Sequence, residues 1–309
     1  MKTVKKNLFK FNKVIVIESL PNGEPKTGED LYNDIIKRMC YKHNHISNEL
    51  IQVTYKEEFF NALERVSKDV ENKYSIPILH FEVHGSVNGI TLSSGEMVEW
   101  EEMKNYLTKI NVATGNNLYI TSAVCFGGYL ISILNLMERS PFFGMLGAFK
   151  EISYEEHFEP FHQFYTELLS LGDFTNALKN FKNAIPETYV KYQSIFADEI
   201  FIKSYAKHVL DNQNKIFLEK RAKDAIKDFI KESPIVGNRA FRRKREKELK
   251  KEFLHARVIK SQEFYIMNVN KFFMIDLYPE NKDRFEIPKS YNDFKNKTTM
   301  DTKLGLNEL

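Results

Sequence analysis

Cysteine is scarce in this chain: Cys40 and Cys125 are the two cysteines among 309 residues. Two cysteines are too few for a disulfide framework, which excludes the small disulfide-stapled secreted domains and favours a reducing compartment. Long apolar runs are lacking as well. The apolar stretch at residues 14–17 is too short for the core of a signal peptide, and no segment approaches the length of a membrane span. We therefore expect a cytoplasmic protein that does not engage a membrane.

An excess of one charge is also lacking. The chain has 45 lysines and arginines against 42 aspartates and glutamates, a formal net charge of +3. This balance excludes a general polyelectrolyte role. There is no internal repeat and no low-complexity tract, and the length suffices for one large domain or two ordinary ones with a sizeable core.

Strand-like and helix-like patterns alternate through the first 184 residues. Short runs of β-branched and apolar residues predict strands, and apolar residues at helical spacing between them predict helices. A turn-rich segment between residues 92 and 97 predicts a β-hairpin. Such alternation is typical of an α/β fold with a mainly parallel sheet. The predicted strands are residues 13–18, 50–54, 76–84, 118–124 and 142–149, and the predicted helices include residues 128–138 and 154–171.

The pattern changes after Pro186. Residues 187–231 carry apolar side chains at helical spacing and predict one long amphipathic helix. Residues 264–277 are apolar and aromatic, and the pattern does not decide between helix and strand. We therefore expect two parts, residues 1–185 with the sheet and residues 186–309 as a mostly helical extension that packs on the sheet, gates the site or docks a partner.

Two apolar runs each end in a reactive residue. His84 follows the third predicted strand and precedes Gly85, while Cys125 follows the fourth and is separated from two glycines by Phe126. Reactive residues of open α/β sheets gather beyond the carboxyl ends of the strands. A cysteine with a histidine nearby is the usual pair for thiol nucleophilic catalysis. The sequence therefore predicts a Cys125 nucleophile with a His84 acid–base.

The segments His84-Gly85 and 123–128 resemble those of the caspase-like (clan CD) cysteine peptidases, and most closely those of the bacterial CHAT-type proteases. These also place a hairpin after the His-Gly pair, as at residues 89–96 here, and a Gly-Ala pair at the end of the strand after the cysteine strand, as at residues 147–148. The resemblance covers roughly residues 13–184. It implies a caspase-like three-layer sandwich.

The resemblance also implies a mechanism and a biology. Cys125 would attack the scissile carbonyl, His84 would protonate the leaving amine, and the backbone N–H groups of Gly85 and Cys125 would form the oxyanion hole. Glu151 and Ser122 would belong to the substrate pocket, although a solvated acidic loop is the other account of Glu151. No cofactor and no metal are implied. The substrate would be one dedicated protein in a bacterial stress or antiviral system, with a regulatory partner protein.

One position departs from the family pattern. Metacaspases, which belong to the same group, have an acid two residues before the cysteine, where it helps to recognise a basic substrate residue; this chain has Ala123. Basic specificity by that route is therefore not implied. The Gln-Ala-Cys-Arg-Gly signature of caspases is missing too, so specificity for aspartate is not implied either.

Several weaker signals leave alternatives open. His80 lies on the same strand face as His84 and is either a supporting partner or a core histidine. Cys40, His43 and His45 suggest a metal site, but no second ligand pair accompanies them. Residues 239–251 are strongly basic, although interleaved glutamates favour a solvated helix over nucleic-acid binding. The rival functions are a catalytically silent binding scaffold and a nucleic-acid-binding module.

Overall fold

The computed structural model describes residues 9–42, 45–185, 192–213, 215–232, 234–285 and 287–296. These residues form two compact units. The first unit comprises the described residues up to Ala197 together with Phe272–Arg284. The second comprises those of Asp198–Lys271 and those from Phe285 onward.

The first unit is built on a sheet whose main path has six strands in the order β2-β1-β3-β6-β7-β8. Neighbouring strands are parallel from β2 to β7, and β8 is antiparallel to β7. Two short strands form a hairpin, of which β4 pairs with the end of β3. The mainly parallel α/β sheet expected from the sequence is confirmed. The strands are β1 Lys13–Ser19, β2 Ser47–Gln52, β3 Pro77–Ser86, β4 Gly89–Thr91, β5 Met97–Glu99, β6 Tyr119–Ala123, β7 Gly144–Ala148 and β8 Tyr192–Phe196.

Helices cover both faces of this sheet. The helices of the first unit are α1 Thr27–Leu31, a π-helical turn Tyr32–Ile36, α2 Lys37–Lys42, α3 Lys56–Lys73, α4 Trp100–Ala113, a 3₁₀ helix Gly127–Ile133, α5 Tyr154–Leu171, α6 Phe174–Ala184 and α10 Asn281–Arg284. The ring of Phe81 on β3 contacts Phe59 of α3, whereas its neighbour His80 contacts Phe161 of α5. Because successive side chains of a strand point to opposite faces, α3 and α5 lie on opposite sides. The unit is therefore a three-layer α/β/α sandwich.

The apolar strands and helix faces predicted from the sequence make up the core. Residues 14–17 of β1 are all buried, as are the described apolar stripes of α3 and α5. Helix α5 begins with a capping box, in which the Ser153 backbone N–H donates to Glu156 Oε2 at 2.7 Å, and it ends at Gly172, whose φ is +65°. These local signals agree with the α5 bounds of residues 154–171 that the pattern predicts.

The segment after Cys125 differs from the prediction. An α-helix from Gly128 to Glu138 was expected, but the chain forms a short 3₁₀ helix, Gly127–Ile133, after Phe126 with φ +59°. The close packing of this turn explains the difference. A Cβ on Gly128 would lie 2.5 Å from the Phe149 ring, and one on Gly127 would lie 2.2 Å from Ser122 Oγ. The glycines therefore serve a tight turn against β6 and β7.

The expectation of one helix over residues 187–231 is wrong for its described part. Tyr192–Phe196 is the edge strand β8, and two helices follow, α7 Ala197–Gln213 and α8 Lys215–Glu232. Aromatic and β-branched side chains at positions 192, 195 and 196 match a helical stripe, but they suit a strand equally well. Residues 186–191 lie outside the described residues. The sheet thus continues past residue 185, where the sequence pattern put the end of the first part.

A segment close to the C-terminal end also belongs to the first unit. Phe272 accepts a hydrogen bond at 3.2 Å from the Ser140 backbone N–H, and both Phe272 and Phe273 are fully buried. Arg139 binds Asp276 through two hydrogen bonds of 2.8 and 2.7 Å. The expected packing of late aromatic residues on the sheet unit is therefore observed for this segment.

The second unit is helical. Its long helix, α9 Arg239–Phe272, begins with the basic segment 239–251. Tyr205, Tyr265 and Phe294 form an aromatic cluster, and the Tyr265 hydroxyl donates to the Pro288 carbonyl at 2.6 Å. Arg245 pairs with Glu252 at 2.9 Å and with Glu248 at 3.4 Å. Such pairing along an exposed helix matches the solvated-helix interpretation of the basic segment. None of the described helices is long and apolar enough to cross a membrane.

A fragment of residues 1–185 should not fold independently. It lacks β8 and Phe272–Arg284, which leaves β7 as an unpaired edge and exposes apolar surface. Each large side chain lost from this core, such as Ile195, Phe196 or Phe272, removes roughly 1.5–3 kcal/mol of stabilisation. We expect aggregation on gel filtration and no cooperative thermal transition, against a cooperative transition for the full chain. A monomeric fragment that melts cooperatively would contradict this packing.

Candidate active site

Strand register brings His84 and Cys125 together. Strands β3 and β6 are parallel, and Glu82 is the register partner of Ala123. His84 lies two residues beyond Glu82, and Cys125 lies two residues beyond Ala123. The two residues therefore lie at the same edge of the sheet, His84 on β3 and Cys125 in the turn that follows β6.

Both side chains line one cavity of about 200 Å³ at this edge. Its other walls come from the loop after β1, from Glu82 and Ala123 on the strands, and from Ile152 and His157 around the start of α5. The position agrees with the rule that open α/β sheets form their sites beyond the carboxyl ends of the strands. The two residues singled out in the sequence thus share one concave site.

A carboxylate holds the His84 ring. His84 Nε2 lies 2.8 Å from Glu24 Oε2, and both side chains are about half exposed. Because a carboxylate accepts hydrogen bonds, Nε2 carries the proton and Nδ1 is the nitrogen left for chemistry in the neutral ring. Glu24 sits in the loop between β1 and α1, and Lys26 Nζ fixes that loop by donating to the carbonyls of Leu20 and Pro21.

The Cys125 thiol is held by a loop backbone. The Ile152 backbone N–H points at Sγ with an N···S distance of 3.4 Å, and Sγ lies 3.6 Å from the Ile152 carbonyl oxygen. The two contacts hold the sulphur against the backbone of Ile152. The expected contribution of a following α-helix is absent in this described segment, since a short 3₁₀ turn takes its place.

Gly85 lies directly against the cysteine. An added Cβ would sit 2.4 Å from the Cys125 carbonyl oxygen and 2.2 Å from Val124 Cγ1. A backbone atom cannot yield as a flexible side chain can, so any side chain at position 85 must push the two strand ends apart. Gly85 is thus required for the close approach of His84 and Cys125, in addition to the oxyanion role that the family resemblance implies.

A hydrogen-bonded chain of buried polar groups underlies the cavity. Glu82 accepts from Thr27 Oγ1 at 2.7 Å and from His80 Nε2 at 3.1 Å. His80 Nδ1 lies 2.8 Å from Thr121 Oγ1, which is 2.7 Å from the Tyr165 hydroxyl. His80 is fully buried and binds Glu82, the residue between itself and His84 on that strand face.

The remaining predicted residues lie elsewhere. Among the residues that the structure describes, the lining of the cavity includes neither Glu151, which is exposed, nor Ser122, which is buried on the other face of β6 beside Gly127. The suggested metal ligand His43 lies outside the described residues, and the described ones contain no group of three metal-ligating side chains.

Sequence reasoning missed Glu24, Glu82 and His157. Glu82 carried a signal: it is an acid within an apolar strand and lies on the His80 and His84 face at period two. Glu24 had a weaker one, because the loop after a parallel strand opens at the same edge as its neighbours. No sequence signal marks His157, because its position depends on how α5 packs.

Comparison with protein-family models and with curated proteins finds no match. Among solved structures, the chain is similar to a putative cystathionine beta-lyase involved in aluminum resistance from Clostridium acetobutylicum, with 12% identity and a TM-score of 0.27. The match covers 58% of this chain and 44% of that one. A likeness this weak carries no argument about function.

The two cysteines should differ in reactivity. Burial raises the pKa of the Cys40 thiol to about 11, so near pH 8 only about 0.1% of it is thiolate. Cys125 is partly exposed and lines the cavity. We expect iodoacetamide to alkylate Cys125 at least about tenfold faster than Cys40 at pH 8, as measured by peptide mass spectrometry.

The control is the same reaction in guanidinium chloride, where both cysteines should react at similar rates. A Cys40→Ala variant should leave the Cys125 rate unchanged. Faster labelling of Cys40 in the folded protein would contradict the assignment of Cys125 as the reactive thiol.

Proposed function

We propose that this protein is a cysteine endopeptidase that uses Cys125 as nucleophile and His84 as acid–base. One observation carries the proposal: the two residues line a single cavity at the carboxyl edge of a parallel sheet. Two further contacts support it. Glu24 fixes the proton on His84 Nε2, and the Ile152 backbone N–H points at the sulphur.

The chemistry follows from these groups. The Cys125 thiolate attacks the scissile carbonyl carbon, and the resulting oxyanion accepts hydrogen bonds from the backbone N–H groups of Gly85 and Cys125. Protonated His84 gives its Nδ1 proton to the leaving amine, the C–N bond breaks, and a thioester remains. Neutral His84 then takes a proton from water, whose oxygen displaces Cys125, and the acid product leaves.

The proposed family is the caspase-like peptidases, with the CHAT-type proteases as the nearest group. Support comes from the order of His84-Gly85 and Cys125, from the hairpin β4-β5 between them, and from a three-layer α/β/α sandwich around a mainly parallel sheet. A single dedicated protein substrate, a cytoplasmic location, a stress or antiviral role and a regulatory partner complete the proposal. The cytoplasmic location rests on the small number of cysteines and the lack of long apolar runs in the sequence, and the other three rest on the family resemblance alone.

Replacement of either dyad residue should abolish cleavage and spare the fold. His84 is half exposed and Cys125 is partly exposed, so Cys125→Ala and His84→Ala remove little packing. Each should lower turnover by at least about a thousandfold, and the double variant should be no worse because the residues act as a unit. The measurement is mass spectrometry of new N-termini in a proteome incubated with each variant.

Cys40→Ala is the matched control, because it removes the other thiol outside the cavity, and it should keep the cleavage pattern. Persistence of the same cuts with Cys125→Ala would overturn the proposal. Absence of any cut by the natural chain, with binding of specific proteins retained, would favour the silent scaffold.

Glu24 should act as a positioning residue for His84. Glu24→Gln keeps an acceptor for Nε2 but removes the charge that stabilises the imidazolium, so we expect kcat to fall about three- to tenfold with KM nearly unchanged. Glu24→Ala should cost more, and Glu24→Asp should recover part of the rate. The thermal midpoint should stay the same, because an exposed ion pair contributes little to stability.

Glu101→Gln provides the control, since Glu101 is an exposed glutamate of α4 that pairs with Lys104 at 3.1 Å. It should not alter kcat. An unchanged kcat in Glu24→Ala, or a loss that appears only in KM, would refute the positioning role.

A further inference from the structure

The cavity beside His84 and Cys125 contains a buried carboxylate. Glu82 is 3% exposed, yet its side chain forms part of the cavity wall. Its register partner on the adjacent strand β6 is Ala123, which also lines the cavity. The acid and the small side chain thus lie side by side in the cavity wall.

Thr27 and His80 hold the Glu82 carboxylate. Thr27 donates from its hydroxyl at 2.7 Å. His80 Nε2 donates at 3.1 Å, because a carboxylate accepts hydrogen bonds. His80 Nδ1 lies 2.8 Å from Thr121 Oγ1, which also lies 2.7 Å from the Tyr165 hydroxyl. Neither of the two donors to Glu82 is a lysine or an arginine.

The charges around Glu82 are mostly negative. Glu18 is its register partner on β1 and is also buried, and Glu24 lies at the mouth of the cavity. His157 Nε2 is 3.8 Å from Glu82 Oε2, while its Nδ1 is 2.7 Å from the Ser153 carbonyl, to which it donates. None of the described residues that line the cavity is a lysine or an arginine.

We propose that this cavity binds the cationic side chain of an arginine or lysine that precedes the scissile bond, with Glu82 as its ion-pair partner. The inference rests on the proposed peptidase function and adds the substrate class. A volume of about 200 Å³ is below the range of sites for larger ligands and suits one side chain.

The energetic argument favours a cation over a neutral group of the same shape. A buried carboxylate gains far more from a guanidinium than from a urea, because the guanidinium brings a positive charge to its hydrogen bonds and the urea does not. Charge-assisted hydrogen bonds of this kind discriminate by about tenfold or more. A substrate aspartate or glutamate would instead meet like charge and be rejected.

The test compares two covalent probes on the full chain: a peptidyl-arginyl chloromethyl ketone and its citrullyl counterpart, which is the neutral isostere. With each probe the Cys125 thiolate forms a C–S bond and chloride leaves. Intact-protein mass spectrometry gives the labelling rate. We expect the arginyl probe to label Cys125 at least about tenfold faster than the citrullyl probe, and Glu82→Gln to reduce this ratio to about two or less.

Glu18→Gln is the matched control, since Glu18 is equally buried on the adjacent strand but does not line the cavity. It should keep most of the preference. An equal collapse of the ratio in both variants would overturn the assignment to Glu82. If Glu82→Gln fails to fold, the ratio of the arginyl to the citrullyl labelling rate in the natural chain still tests the preference for a cation.

The outcomes separate the two proposals. Equal, rapid labelling of Cys125 by both probes would refute the cationic preference and leave the nucleophile standing. Labelling of Cys125 no faster than that of Cys40 by either probe would refute the peptidase proposal, and this inference with it.

Discussion

The parallel register between β3 and β6 is the constraint on which the candidate site depends. It pairs Glu82 with Ala123 and so carries His84 and Cys125 to the same edge of the sheet. A slip of one residue would turn His84 to the opposite face. Gly85 adds to the constraint, because only a glycine lets its backbone lie against the Cys125 carbonyl. Sheet geometry therefore sets the positions of His84 and Cys125, and the loops supply their hydrogen-bond partners.

Glu18 and Glu82 are two buried carboxylates at this edge of the sheet, and their burial requires a physical reason. Glu18 accepts from the backbone N–H groups of Gly28 and Glu29 at 2.9 and 3.0 Å, which accounts for its burial at the start of α1. Glu82 accepts instead from the side chains of Thr27 and His80, which are themselves buried. Buried charge is costly where it serves only the core. Its position on a cavity wall beside His84 gives it a functional reason.

The sequence was sufficient to predict the sheet and the edge position of His84 and Cys125, and insufficient for the other residues that line the cavity. The parallel strands and the edge position of His84 and Cys125 follow from apolar runs and from the rule for open sheets. The strand Tyr192–Phe196 was missed because its aromatic spacing matches a helix as well. The turn at Gly127 was missed because its conformation is set by packing against Ser122. Glu24 and His157 come from a loop and a helix whose docking no local pattern encodes.

The segment from Ile152 to His157 contacts the Cys125 sulphur at one end and forms part of the cavity wall at the other. The Ile152 N–H contacts the Cys125 sulphur, Ser153 begins helix α5, and His157 donates to the Ser153 carbonyl while its other nitrogen faces Glu82. A shift at either end of this short segment must move the other, because the helix start between them is held by its capping box. A side chain that enters the cavity and displaces His157 would therefore also change the setting of the thiol. The wall of the cavity and the Cys125 sulphur are therefore linked through five peptide bonds, and in the proposed peptidase this segment would couple the binding of a substrate side chain to the position of the thiol.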